Sequence, residues 1–85
     1  MKVHLIYLRP DGMLVSKKRY ADWREIQDEY EGYMTSLGPF SGEELEDFLA
    51  NQYGPDDAGW GFSRAEVRAF MNSDAEVLAA RPAGG

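Results

Sequence analysis

The chain has no cysteine and a single histidine, His4, among its 85 residues. Without thiols there can be no disulfide and no thiolate metal site. Packing alone must therefore hold a chain near the lower size limit for unaided folding. Long apolar runs are also missing. Val3–Leu8, apolar apart from His4, is far shorter than the roughly 18 residues a membrane span needs. The N-terminus offers neither the apolar core nor the small-residue cleavage pattern of a signal peptide. These absences point to one domain, expected in a reducing cytoplasm, with no membrane contact.

The most informative absence is of positive charge. From Glu25 to Ser63 there is no Lys or Arg, yet there are ten carboxylates: Glu25, Asp28, Glu29, Glu31, Glu43, Glu44, Glu46, Asp47, Asp56 and Asp57. The first 24 residues have the opposite sign, with six bases against two acids, in a chain of net charge −6. Such an uneven distribution bears on partners and association rather than on fold.

Local patterns supply the elements. Val3–Leu8 is rich in β-formers and reads as a strand with both faces at least partly covered. Pro10-Asp11-Gly12 is a turn, because proline presets φ, aspartate bonds nearby backbone and glycine accepts positive φ. A hairpin over about 2–8 and 13–18 follows, and two strands alone are marginal in water, so other elements must cover it. Three capping boxes then open helices: Asp22-x-x-Glu25, Ser41-x-x-Glu44 and Ser63-x-x-Glu66. Phe40 with Leu45 and Phe62 with Val67 form hydrophobic staples at the second and third. Gly38-Pro39 and Gly54-Pro55 supply stops. The expected fold is α+β, an N-terminal hairpin followed by helices at about 23–37, 42–53 and 64–80. The last is weakest at Asn72-Ser73, where Ser73-x-x-Glu76 offers a restart. Apolar stripes (Trp23, Ile26, Tyr30, Tyr33, Leu37; Leu45, Phe48, Leu49, Tyr53; Val67, Phe70, Met71, Leu78) join Val3, Leu5, Tyr7, Leu14 and Val15 in one expected core over residues 1–81. Residues 82–85 are expected to form a flexible tail.

Catalytic chemistry finds little to work with. His4 lies in a strand between apolar neighbours, where a lone histidine is usually structural. Ser41 and Ser63 are occupied as caps, and the carboxylates sit on solvated helix faces. No enzymatic activity and no cofactor are expected. Residues 43–71 run helix, acidic loop, helix, and their end, GFSRAEVRAFM at 61–71, resembles the exit of an EF-hand. With Glu66 at the final position, Asp57 falls at the third, but Pro55, Gly59 and Trp60 occupy the first, fifth and sharp-turn positions. Most calcium ligands are then missing and no metal is expected. The strand-turn-strand opening and the terminal Gly84-Gly85 resemble ubiquitin-like modifiers. Those proteins continue into strands where this chain has capped helices, so their function is not carried across.

Each acid has an ordinary reason to be where it is. Glu25, Asp28 and Glu29 lie opposite the apolar stripe of the first helix, and Glu43, Glu44 and Glu46 occupy the start of the second, where the helix dipole favours them. The missing i,i+4 bases are what remains to be explained, because solvated helices commonly interleave them. The expected function is therefore a non-enzymatic interaction domain docking its acidic helices on a basic, nucleic-acid-binding surface of a partner protein. In size and charge it is similar to phage or mobile-element inhibitors such as anti-CRISPR proteins. Glu25, Asp28, Glu29, Glu43, Glu44, Glu46, Asp47, Asp56 and Asp57 would form the surface, with Tyr33, Tyr53 and Trp60 as exposed anchors. The alternative is a nucleic-acid-binding or regulatory module using the basic hairpin end Lys17, Lys18 and Arg19. Phosphate repulsion by a net-acidic chain makes direct nucleic-acid binding the lesser expectation. Self-association through the hairpin edge is a third possibility.

Overall fold

A computed structural model describes residues 2–10 and 12–80. Asp11, in the middle of the expected turn, and the tail at 81–85 lie outside the described residues. Strands β1 (Val3–Leu8) and β2 (Gly12–Ser16) form the expected hairpin, with Leu5 opposite Val15 and Ile6 opposite Leu14. Helix α1 (Trp23–Glu29) follows, then strand β3 (Tyr33–Phe40) and helix α2 (Gly42–Tyr53). A 3-10 turn at Asp57–Gly59 leads to helix α3 (Arg64–Met71) and strand β4 (Val77–Ala79). All neighbouring strands are antiparallel, in the order β3-β1-β2-β4.

The α+β class holds, but a hairpin followed by three helices does not. The first helix stops at Glu29 instead of continuing to 37. Gly32, at φ +82°, turns the chain, and its carbonyl accepts the Arg9 amide at 2.7 Å. The next eight residues then pair with β1 instead of coiling. The Tyr30–Tyr33–Leu37 spacing suits a helix. However, a glycine at 32 costs a helix about 1 kcal/mol, and the open edge of β1 offers a complete ladder. Gly38-Pro39, expected as a helix stop, lies inside β3. It makes a bulge there, because two steps on β1 (Val3 to Leu5) match three on β3 (Phe40 to Leu37).

The third helix ends at Met71 rather than 80, and no helix restarts at Ser73. Asn72 Nδ2 donates to the Arg68 carbonyl at 3.0 Å, and Ser73 Oγ to that of Phe70 at 2.9 Å. Lys17 reaches across from the end of β2 to donate to the Phe70 and Ser73 carbonyls. A cation at a helix C-terminus is favoured by the helix dipole. Val77–Ala79 then pairs with β2, completing the sheet.

Both open edges of the hairpin are thus covered, one by β3 and one by β4, which removes the hairpin edge as a self-association surface. The helices lie on opposite faces. Val3, Leu5 and Val15 pack with Leu45 and Leu49 of α2, Val67 and Phe70 of α3, and the loop residues Trp60 and Phe62. Alternation along the strands turns Ile6 and Leu14 the other way, onto Ile26 of α1. The single expected core is therefore two, separated by the sheet. This is why β1, central and covered on both sides, reads as a continuous apolar run. The caps Ser41/Glu44 and Ser63/Glu66 form full capping boxes. At α1, Asp22 accepts from the Arg24 amide, while Glu25 accepts from Ala21 instead of Asp22.

Candidate protein-binding surface

The nine carboxylates expected to form the docking surface do not form one surface. Glu25, Asp28 and Glu29 ride on α1, on one side of the sheet. Glu43, Glu44, Glu46 and Asp47 ride on α2, on the other, with Asp56 and Asp57 in the loop after it. Nor do they all lack counter-charges. Glu46, only 14% exposed, accepts from Arg64 Nη1 at 3.0 Å and from Arg68 Nη2 at 3.2 Å, tying α2 to α3. Glu44 closes the α2 capping box and meets Lys2 at 3.2 Å. Glu29 pairs with Lys18, and Asp57 accepts the Arg64 amide. The bases missing from the helices themselves are delivered by the start of the chain, the β2–α1 connection and α3. Spacing rules limited to i,i+4 cannot see such pairs.

On α2 this leaves Glu43 and Asp47, one turn apart, both exposed and without an ion pair among the described residues. Glu43 also lines an open cleft of about 620 Å³ between the start of α2 and the end of α3, with Ser41, Glu46, Arg68 and Met71 around it.

The aromatic anchors divide. Trp60 is no anchor at all: it is 1% exposed, its Nε1 donates to the Gly54 carbonyl at 3.1 Å, and Arg64 lies over its ring at 4.8 Å. A tryptophan between glycines in a loop has no periodicity from which burial can be read. Tyr33 stacks on Trp23 at 6.5 Å and bonds Ser36. Tyr53 stays partly exposed, with its hydroxyl 2.9 Å from that of Tyr7. Trp23, expected in the core, is 51% exposed, because the shortened helix buries only Ile26.

The basic alternative is largely committed within the fold. Lys17 caps α3 and lies 4.3 Å from the centre of the Phe70 ring, and Lys18 pairs with Glu29. Only Arg19 of the three stands exposed.

Beneath α1 lies a polar cluster to which no sequence pattern points. Fully buried Ser16 is 3.0 Å from the Tyr20 hydroxyl, which donates to Glu29 at 2.7 Å. Hydrogen bonds from Lys18 and then Tyr20 hold the Glu29 carboxyl below its ordinary range. Burial, together with the hydrogen bond the phenol donates to Glu29, pushes the Tyr20 pKa up. His4 sits opposite Ser16 across the hairpin, edge-on to Tyr20 at 5.5 Å, and its Nδ1 is buried without a hydrogen-bond partner among the described residues. Burial lowers the His4 pKa from 6.5. As the pH falls below that value the unfolded chain binds a proton that the folded one resists, so stability must fall. Glu29 acts at lower pH, its contribution being lost only as pH drops through its depressed pKa. Urea midpoints should therefore decline from neutral to mildly acidic pH, and His4→Gln should flatten that decline. An unchanged slope would exclude His4 as its source.

Among the described residues no three His, Asp or Glu side chains converge as a metal site, and no helix is long and apolar enough to cross a membrane. Compared with protein-family models, curated proteins and solved structures, the chain has no significant match.

Proposed function

We propose that this chain is a non-enzymatic interaction domain that docks the outer face of α2 on a basic surface of a partner protein. The observation that supports this reading is the pair Glu43 and Asp47, exposed on one helix stripe with no ion pair among the described residues while their neighbours Glu44 and Glu46 are paired. Exposed carboxylates of this kind steer encounter and select partners more than they supply affinity. The cleft beside Glu43 offers space for a partner's basic side chain. The acids of α1 face the opposite side and take no part. A partner whose basic surface normally holds nucleic acid would be blocked by such docking, so competitive inhibition is the activity to test.

The test is reversal of Glu43 and Asp47 to Lys, leaving Glu46 intact because a lysine there would face Arg64 and Arg68. Retention of basic nucleic-acid-handling proteins from nuclease-treated lysate should be lost, with the circular dichroism spectrum unchanged. Equal retention by the reversed variant would remove α2 from the mechanism.

A further inference from the structure

We propose that the outer edge of β3 is a self-association surface, on which β3 of a second copy pairs antiparallel and joins the two sheets into one. This goes beyond the α2 docking above and does not depend on it. In the order β3-β1-β2-β4 the sheet has two edges, and they differ in kind. The β4 edge is three residues long and follows Asp74 and Glu76, which is how proteins protect an edge from pairing. The β3 edge is eight residues long and has no charged side chain, and Pro39 and two bulges confine its regular part to Thr35–Leu37.

Charge selects the occupant. Gly32–Gly42 is eleven residues without a formal charge, the longest such run in a chain of net charge −6. Two copies of an acidic protein repel each other over most of their surfaces. They can approach where neither presents charge, and β3, inside this uncharged run, is the longer of the two edge strands that meet this condition. A basic partner would gain nothing there. Two of the four large apolar side chains left exposed among the described residues, Trp23 and Met34, flank Tyr33 at this edge. Tryptophan, tyrosine and methionine are residue types enriched at interfaces.

The strand is also shaped for a two-fold axis. Its irregularities fall at Met34 and at Gly38-Pro39, on either side of Ser36, with Thr35–Leu37 regular between them. Pairing centred on Ser36 sets Met34 opposite Gly38 of the second copy, an exposed side chain against a residue with none, and Thr35 opposite Leu37. The bulges keep the regular ladder short, which puts the association in the weak class below roughly 1,200 Å² of buried surface. With the β4 edge blocked, assembly closes at two copies.

Sedimentation velocity of the full chain over a wide concentration series tests this. The mass should move from monomer to dimer as concentration rises. Thr35→Lys, at an exposed position beside the axis, should weaken dimerisation by roughly tenfold or more. Val77→Lys on β4 should not. If Thr35→Lys disturbs the circular dichroism spectrum, Met34→Lys takes its place. A monomer at every concentration, or a dimer that the β3 substitutions leave intact, would overturn the proposal.

Discussion

Replacing Trp60 by Ala should lower the free energy of unfolding by about 3–5 kcal/mol, the cost of emptying a well-packed aromatic site. For a domain of this size that is a large share of the total, since folded domains have only about 5–15 kcal/mol. Trp60 is 1% exposed and sits with Phe62 among Val3, Leu5, Leu45, Leu49 and Val67, so its loss opens a cavity shared by the sheet, α2 and α3. Its indole N–H also satisfies the Gly54 carbonyl just past the end of α2. Trp60→Phe keeps much of the volume and loses that donor, so it should fall between wild type and Ala. Trp23→Ala supplies the contrast. Half-exposed on the other side of the sheet, Trp23 stacks on Tyr33. Its removal should cost no more than about 1 kcal/mol, chiefly that stacking. Guanidinium unfolding of the three variants gives the order, and equal losses for Trp60→Ala and Trp23→Ala would contradict the placement of both residues.

The second large effect is at Gly38. Its φ of +118° is a backbone that residues with a side chain rarely adopt. A Cβ there would also lie 2.8 Å from the Val3 carbonyl oxygen and 3.1 Å from the Phe40 amide nitrogen. Both are backbone atoms of the β1–β3 ladder, so neither can yield without opening the pairing. Gly54 separates the two causes. It has φ +108°, but a Cβ added there would meet nothing within 4 Å. Gly54→Ala should therefore cost roughly 1–3 kcal/mol from conformation alone, and Gly38→Ala at least about 1 kcal/mol more from overpacking. Amide exchange along β1 should accelerate only in the Gly38 variant. Identical losses at the two glycines would mean that β3 does not approach β1 so closely.

These two sites show where local patterns stop being informative. The hairpin, α2 and the second and third helix starts depend on neighbours in the chain, namely a short run of β-formers ending at a turn sequence, a cap three residues before a glutamate, and glycine followed by proline after α2. Each is found close to its expected position. The apolar spacing of Tyr33–Phe40 and Val77–Ala79 permits a helix, yet both segments are strands. Gly32 and the β-branched residues Thr35 and Val77 carry the opposite signal more weakly. The hairpin's two unpaired edges decide the matter, and no spacing rule contains them. The candidate surface follows the same course. The run of acids is evident from composition. The sorting of Glu44, Glu46 and Glu29 into ion pairs, with Glu43 and Asp47 left over, requires bases 11 to 42 residues away.

The amino-acid sequence alone determined the class of fold, the start of every helix and the dependence on packing in a chain without cysteine. These follow from composition and from interactions within a few residues, whose entropy cost is small. Only the tertiary structure decided that two supposed helix ends are strands, that Trp60 is buried, and that α1 and α2 carry their acids on opposite faces. Each of those outcomes comes from distant segments satisfying one another's hydrogen bonds, apolar surface or charge.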